Sequence, residues 1–320
     1  MNRSILTVAT MAVAALALSS CAASPSTSEK GAADGKLNKV VIATQPIVDS
    51  APLYLGKELG FFADEGIELE IQAAAGGAAV VPGVISGSFD LGRGNLLSTM
   101  LAVDQGLDLR CIANANSTSG TPDFGAVVVL PDSPIATIAD LPGHTVTVNT
   151  LANIGDTTIR SVVQEAGGDP STIDFVEVPF ADAPAALENG QVDAAWIMDP
   201  FLTEALDRGA RVLSYNFAEF HPDLDISCIF ATGDVIDHDP ELVSSFQKAM
   251  NKSLEYSQNN PDEVRAIVGT YTEMDVAVLA KMVLPTFRTD FSREAAEKLG
   301  QKATEYGTLS QEPDLDTLLP

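Results

Sequence analysis

The chain states one pattern twice, and that repetition limits the folds open to it more than any other feature. Residues 39–92 run KVVIATQ, then the helix-like APLYLGKELGFF, the strand-like IELEIQ, the helix-like VVPGVISG and SFDLG. Residues 144–197 run HTVTVNT, then DTTIRSVVQEAGG, IDFVEV, APAALENG and QVDAAWI in the same order of types. Each half reads β-α-β-α-β. Each closes its second helix at a glycine and places an aspartate three residues on: Gly87 with Asp90, and Gly190 with Asp193. Strands that alternate with helices imply a mainly parallel sheet flanked by helices on both faces. Two such units predict an α/β protein of two lobes, with a ligand cleft between them at the carboxyl ends of the strands.

The beginning of the chain reads as something other than fold. Arg3 precedes an apolar run from Ile5 to Leu18, which is short for a membrane span and ends in small residues. That pattern is an export signal over 1–20. The junction Leu18-Ser19-Ser20-Cys21 resembles the bacterial lipobox, which makes Cys21 a lipidation site; ordinary cleavage leaving a free Cys21 is the other reading. Residues 21–37 then serve as lipid attachment point and flexible tether, small and polar without apolar periodicity. The formal net charge of −26 argues against a nucleic-acid partner, which asks for a basic patch. Beyond Cys21 the only cysteines are Cys111 and Cys228, both in strand-like runs. In an oxidising compartment they form either a disulfide between the two crossover regions or two separate buried thiols.

The segment STSGTPDFG (117–125) is rich in turn residues and marks a crossing from the first lobe to the second. We expect the first lobe to comprise 38–122 plus 234–320 and the second 123–233. From Asp239 onward the pattern is helical, in PELVSSFQKAMNKSLEYSQ, PDEVRAIVGTY, DVAVLAKMVLPTF and SREAAEKLGQKATEYG. Asp239-Pro240, Asn260-Pro261 and Ser292 are N-terminal helix signatures. This tail is assigned to the first lobe, so that two crossing segments make a hinge.

The stretch from Ala51 to Ile67, APLYLGKELGFFADEGI, resembles the opening signature of the ABC-importer substrate-binding proteins that take nitrate, sulfonates, taurine and thiamine precursors. Gly87–Gly92, Asp140–Val146 and Asp193–Pro200 are similar to further landmarks of that family. The resemblance implies a type II periplasmic-binding fold and a lipid-anchored monomer at the outer face of the cell membrane. It also implies delivery of a small molecule to a cognate permease and its ATPase, and binding rather than catalysis. Neither a cofactor nor a metal is expected: phosphate-loop and nucleophile-elbow motifs are missing, and His144, His221 and His238 are scattered.

A two-lobed binder takes its ligand contacts from the loops that follow its strands. The first loop offers Gln45, Pro46 and Ser50; a glutamine at this place faces the ligand in similar members, and capping of its own turn is the alternative. Next come Arg93, Gly94 and Asn95. The Arg93 guanidinium suits a carboxylate or sulfonate. It equally suits an ion pair inside the lobe, with Asp90 or Asp123. Asn149, Thr150 and Asn153 precede a helix, where they serve an anion or simply cap. Trp196 and Asp199 follow the last strand of the second repeat. Trp196 lines the pocket or fills the core. Asp199 disfavours an anion and favours a ligand with N–H donors, unless it pairs with Arg93 across the closed cleft. Phe180 and Ser117 complete the candidates. On this basis the expected ligand is a small organic anion or zwitterion, sulfonate- or taurine-like, with a thiamine-type pyrimidine as the alternative.

Overall fold

The computed structural model describes residues 37–320. The expected export signal, the expected lipidation site Cys21 and the expected tether as far as residue 36 lie outside the described residues. Two five-stranded sheets carry the fold. In the first repeat β1 (Asn38–Thr44), β2 (Ile67–Ala73) and β3 (Leu91–Asn95) run parallel, with Ile42 opposite both Ile71 and Leu91. Their crossovers are α1 (Ala51–Glu58) with α2 (Phe61–Asp64), then α3 (Gly77–Ile85). The chain continues through α4 (Leu96–Asp104) into β4 (Leu109–Ser117) and leaves the lobe.

The second lobe opens with β5 (Gly125–Val129), wholly buried because helices cover both its faces. Next come β6 (Thr145–Val148), α5 (Ile154–Glu165), β7 (Asp174–Glu177), α6 (Ala183–Glu188) and β8 (Ala194–Met198). The helix α7 (Phe201–Asp207), the strand β9 (Arg211–Ser214) and the helix α8 (Asn216–Phe220) complete the lobe. The strand β10 (Asp225–Thr232) then returns to the first sheet.

The sheet orders are β2-β1-β3-β10-β4 and β7-β6-β8-β5-β9. In both, the strand that arrives from the other lobe takes the fourth place and runs antiparallel to its neighbours. The run CIFAT, which reads as strand, lies in β10 and carries the chain back. Its pairing with β3 and β4 puts the crossing upstream of Asp225. The two crossing segments lie side by side, Thr118 N–H donating to the Leu224 carbonyl at 2.9 Å. Asp225 is buried there and accepts from Asn114 Nδ2 (2.9 Å), Ser117 Oγ (2.7 Å), Arg288 Nη2 (2.8 Å) and the Ser292 amide (2.6 Å).

The aspartates singled out by the repeat do the same work in both lobes. Asp90 Oδ2 accepts from the Val41 amide (2.7 Å), and Asp193 Oδ2 accepts from the Thr145 amide (2.9 Å). Each extends the pairing of the central strands by one bond where a loop would leave an amide unsatisfied. Gly87 and Gly190 sit at φ of 72° and 65°, left-handed positions that end α3 and α6 at little steric cost.

The C-terminal helices are α9 (Gly233–His238), α10 (Pro240–Asn259), α11 (Pro261–Val268), α12 (Val276–Leu279), α13 (Arg293–Glu305) and α14 (Leu315–Leu318). Asp239 and Ser292 accept from the amides of Leu242 and Ala295, as N-caps. Asn260 caps nothing with its side chain; its amide donates back to the Tyr256 carbonyl. The expected helix over DVAVLAKMVLPTF shrinks to the single turn of α12. Pro285 disfavours helix just before it, and the backbone is used elsewhere: Val283 reaches Asp199, and Thr286 bridges Ser117. α10 packs on α1, α2 and β4, whereas α13 lies between α4 and α5 and so touches both lobes. Cys111 and Cys228 form a disulfide, Cα atoms 5.9 Å apart. It joins β4 to β10, neighbours in one sheet, rather than the crossing segments. Among the described residues no helix is long and apolar enough to cross a membrane.

Candidate functional site

The loop after β1 is held rigid from three directions. Ser50 Oγ donates to the Gln45 carbonyl (2.6 Å) and bonds Thr44 Oγ1 (2.7 Å). Tyr271 stacks on Tyr54 with centroids 3.9 Å apart and donates its hydroxyl to the Ile47 carbonyl (3.0 Å). This fixes Gln45, Ile47 and Asp49 toward the cleft. On the next loop Gly94 meets Gly77, the first residue of α3, so closely that a Cβ on Gly77 would lie 2.9 Å from the Gly94 Cα. Only two glycines allow the N-terminal end of that helix to sit on the end of β3.

Between the lobes lies a narrow, partly open chamber. The first lobe gives it Gln45, Ile47, Asp49, Gly77, Arg93, Gly94 and Asn95, with Ile226 and Ser227 from the return strand. Its other wall is Asn149, Ile154, Phe180, Trp196, Met198 and Phe217, from the second lobe. The aromatic rings form one array. Phe180 meets Trp196 edge-on at 5.1 Å, and Phe217 meets it at 5.5 Å. Gly155 in the first turn of α5 permits this, since a Cβ there would lie 2.4 Å from the indole.

The floor is an ion pair. Arg93 Nη2 donates to Asp49 Oδ2 (2.8 Å), Ser227 Oγ (2.9 Å) and Asn116 Oδ1 (3.1 Å), with both charged side chains at most 3 % exposed. Burial pushes the Asp49 carboxyl up, while the neighbouring guanidinium and its hydrogen bond oppose the rise. Four buried polar atoms around the pair lack a hydrogen bond of good geometry: Asp49 Oδ1, Arg93 Nε, Asn116 Nδ2 and, across the cleft, Trp196 Nε1; the Asn116 amide still lies close enough to steady the Asp49 carboxylate. Polar groups buried this deeply are normally satisfied. Asp49, Arg93 and Trp196 line the chamber, so one acceptor and two donors there describe what an occupant has to complement.

The structure sorts the residues expected from sequence. Gln45, Arg93, Gly94, Asn95, Asn149, Phe180 and Trp196 line the chamber. Pro46 lies on an adjoining outer space. Asn95 also caps α4, accepting from the Ser98 amide (2.8 Å). Trp196 is at once core and wall. Arg93 pairs within its own lobe, but with Asp49, not with Asp90 or Asp123.

Four expected contacts serve the frame instead. Ser50 braces the Gln45 loop, and Ser117 belongs to the crossing. Asn153 caps α5 and donates across the cleft to Ser98 Oγ (3.0 Å). Asp199 is spent entirely: Oδ1 accepts from the Thr203 hydroxyl (2.6 Å) and amide (3.0 Å), and Oδ2 from the Val283 amide (2.8 Å). It neither reaches Arg93 nor lines the chamber. Burial raises its carboxyl to about 6. Thr150 lies outside the lining, near Gly76 on the opposite rim. Just beyond it Ala152 holds a φ of 49°, pinned by Asp156, which accepts from the amides of Ala152 (3.1 Å) and Asn153 (2.6 Å). The site residues not foreseen are Ile47, Asp49, Gly77, Ile154, Met198, Phe217, Ile226 and Ser227. Asp49 had a visible signal, since it stands in the loop between Gln45 and Ser50.

Fold and site together define a two-lobed α/β protein with a partly open chamber between its lobes. Residues 47–264 match the NMT1/THI5 like family, and the chain belongs to it. Among curated relatives, the formylaminopyrimidine-binding protein of Halalkalibacterium halodurans is 23% identical over 68% of this chain and 65% of its own length. The putative aliphatic sulfonates-binding protein of Escherichia coli K12 is 34% identical over 40% of this chain and 39% of its own. The chain thus spans less than two thirds of the length of either. Among solved structures, the periplasmic aliphatic sulphonate binding protein SsuA of Escherichia coli superposes with a TM-score of 0.71 at 20% identity, covering 87% of this chain and 96% of that one. The desulfurization enzyme DSZB has the same fold, with a TM-score of 0.63 at 16% identity over 87% and 95%. At such identities these structures speak to fold alone.

Proposed function

We propose that this chain is the solute-binding component of an ABC importer. In this reading lipid on Cys21 holds it at the outer face of the cell membrane. It captures a small organic molecule by lobe closure and hands it to a permease and its ATPase, working as a monomer. The observation that carries the reading is the inter-lobe chamber whose buried polar atoms await partners. Its polar groups are otherwise spent on one another, which suits holding a ligand rather than attacking it; this supports binding over catalysis.

The same observation supports one of the ligand classes raised by the sequence over the other. Arg93 already carries a counter-charge, so the floor is formally neutral, and a simple anion would bring an uncompensated charge into a buried space. A flat heterocycle with an amino group and ring nitrogens fits better. It offers a donor to Asp49 Oδ1, acceptors to Arg93 Nε and Trp196 Nε1, and a face to the aromatic wall. We therefore favour a pyrimidine of the aminopyrimidine type, the class named for the Halalkalibacterium halodurans relative. A taurine-like zwitterion remains the second reading, because the N-terminal end of α3 at Gly77 favours an anionic group.

A thermal-shift and calorimetric screen of 4-amino-5-hydroxymethyl-2-methylpyrimidine, taurine, ethanesulfonate and nitrate tests this. A ligand at a hundred times its Kd adds about 2.7 kcal/mol of stability and raises the melting point accordingly. The pyrimidine is expected to shift it and the simple anions are not. A shift with ethanesulfonate or nitrate alone would overturn the charge argument.

A further inference from the structure

Outside the chamber lies a second, roomier space, open on one side and bounded by both lobes. Gln45, Ile47, Asn149 and Phe180 line it as well as the chamber, so the two spaces share a wall of four side chains. The remaining lining differs in chemistry. Pro46, Ala74 and Ala75 come from the first lobe; Pro179, Ala181 and Phe201 come from the second. All six are apolar, and the one charged residue is Glu177, which accepts from the Leu151 amide (3.1 Å).

We infer that this vestibule is a second subsite, holding an apolar substituent of the same ligand whose polar head occupies the chamber. The inference rests on the function proposed above. The chamber is lined by groups that demand hydrogen bonds, whereas the vestibule offers apolar surface from both lobes and almost no donors. A head alone would leave that surface in water. A substituent passing between Gln45 and Asn149 covers it, and in doing so touches both lobes, adding contacts that exist only when the cleft is shut. Glu177 at the edge sets the charge rule: the substituent ends in an uncharged or cationic group, not in a carboxylate.

The probes are 4-amino-2-methylpyrimidines carrying a methyl, propyl or pentyl group at ring carbon 5, titrated calorimetrically into the purified full chain. Affinity is expected to rise about three- to four-fold per added methylene until the vestibule is filled. Ala74→Trp, which fills the vestibule from the first lobe, is expected to erase the gain for propyl and pentyl while leaving the methyl compound's affinity unchanged. Methyl binding with propyl and pentyl equal or weaker in the wild-type chain overturns the vestibule and leaves the head-group reading standing. If none of the three binds, the aminopyrimidine reading fails and the vestibule inference falls with it. The wild-type series decides even where Ala74→Trp does not fold.

Discussion

Arg93→Met separates what the guanidinium does for the fold from what it does for a ligand. One nitrogen of Arg93 ties β3 to Asp49 in the loop after β1, to Asn116 on β4 and to Ser227 on β10. Methionine fills much of the same volume but leaves the Asp49 carboxylate buried and unpaired, a loss of about 3–5 kcal/mol. With a urea slope of about 3 kcal/mol/M, the unfolding midpoint falls by roughly 1–1.7 M. The sign of the pH dependence follows. Asp49 already sits above the ordinary carboxylate range, and losing the guanidinium lifts it further. A carboxyl whose folded value exceeds its unfolded one of about 3.9 stabilises when protonated and loses that stabilisation as pH rises through the interval between the two. The deficit of Arg93→Met therefore shrinks on going from pH 7.5 to pH 5. Asp49→Leu/Arg93→Met removes the stranded charge and is expected to lie within about 2 kcal/mol of the wild type, yet to bind no pyrimidine. Urea titrations followed by circular dichroism and by Trp196, the one tryptophan of the chain, measure all three proteins. Equal midpoints for Arg93→Met and wild type at pH 7.5 would refute the reasoning. So would a double variant as unstable as the single one, since the cost would then not be the abandoned carboxylate.

Trp196→Phe keeps a ring in the array but removes the indole donor. The proposed pyrimidine is expected to bind about 2–12-fold more weakly in calorimetry, the range for one hydrogen bond. Asp49, Asp123, Asp156 and Asp199 are all raised by burial, Asp199 to about 6, so each destabilises the fold once ionised. The wild-type urea midpoint should accordingly be higher at pH 5 than at pH 7.5, with about 1–2 kcal/mol of the difference traceable to Asp199 through Asp199→Ala. Cys111→Ser/Cys228→Ser opens a loop of 117 residues and is expected to lose about 2–5 kcal/mol, read as a drop in midpoint that a reductant does not deepen.

What was legible in the sequence was local or repeated. The β-α-β-α-β pattern could be read because strand and helix periods differ, and the Gly87/Asp90 and Gly190/Asp193 pairs because each acts within its own neighbourhood. Gln45, Asn149 and Gly94 could be placed because loops after parallel strands converge. Ser50, Ser117, Asn153 and Asp199 make bonds within the frame for one physical reason. A short polar side chain at a strand end or helix start satisfies backbone amides as readily as it meets a ligand, and the residue type does not say which. The partner of Arg93 was missed because no period links positions 93 and 49; only the stacking of β3 beside β1 brings them together. The run CIFATG was recognisable as strand, but the sheet it joins depends on where the chain crosses, and that is a tertiary matter.

The repeat builds two lobes of one topology, yet they contribute unlike chemistry to the site. The first supplies the Asp49–Arg93 pair and two glycine-rich turns; the second supplies Phe180, Trp196 and Phe217. Neither half is a binding site alone. A ligand held only by the ion pair would gain nothing from the aromatic wall, and one held only by the rings would leave the buried pair unanswered. Closure is favoured by a ligand only to the extent that it contacts the closed arrangement better than the open one. The lobes already touch through Asn153 with Ser98, Asp199 with Val283 and Lys281 with Asp207. None of these contacts uses the unpartnered atoms at the chamber's floor, so they do not choose its occupant. Discrimination is left to the atoms without partners. Asp49 Oδ1 and Arg93 Nε sit on one side and Trp196 Nε1 on the other, so on the function proposed above the ligand is a molecule that answers both sides at once.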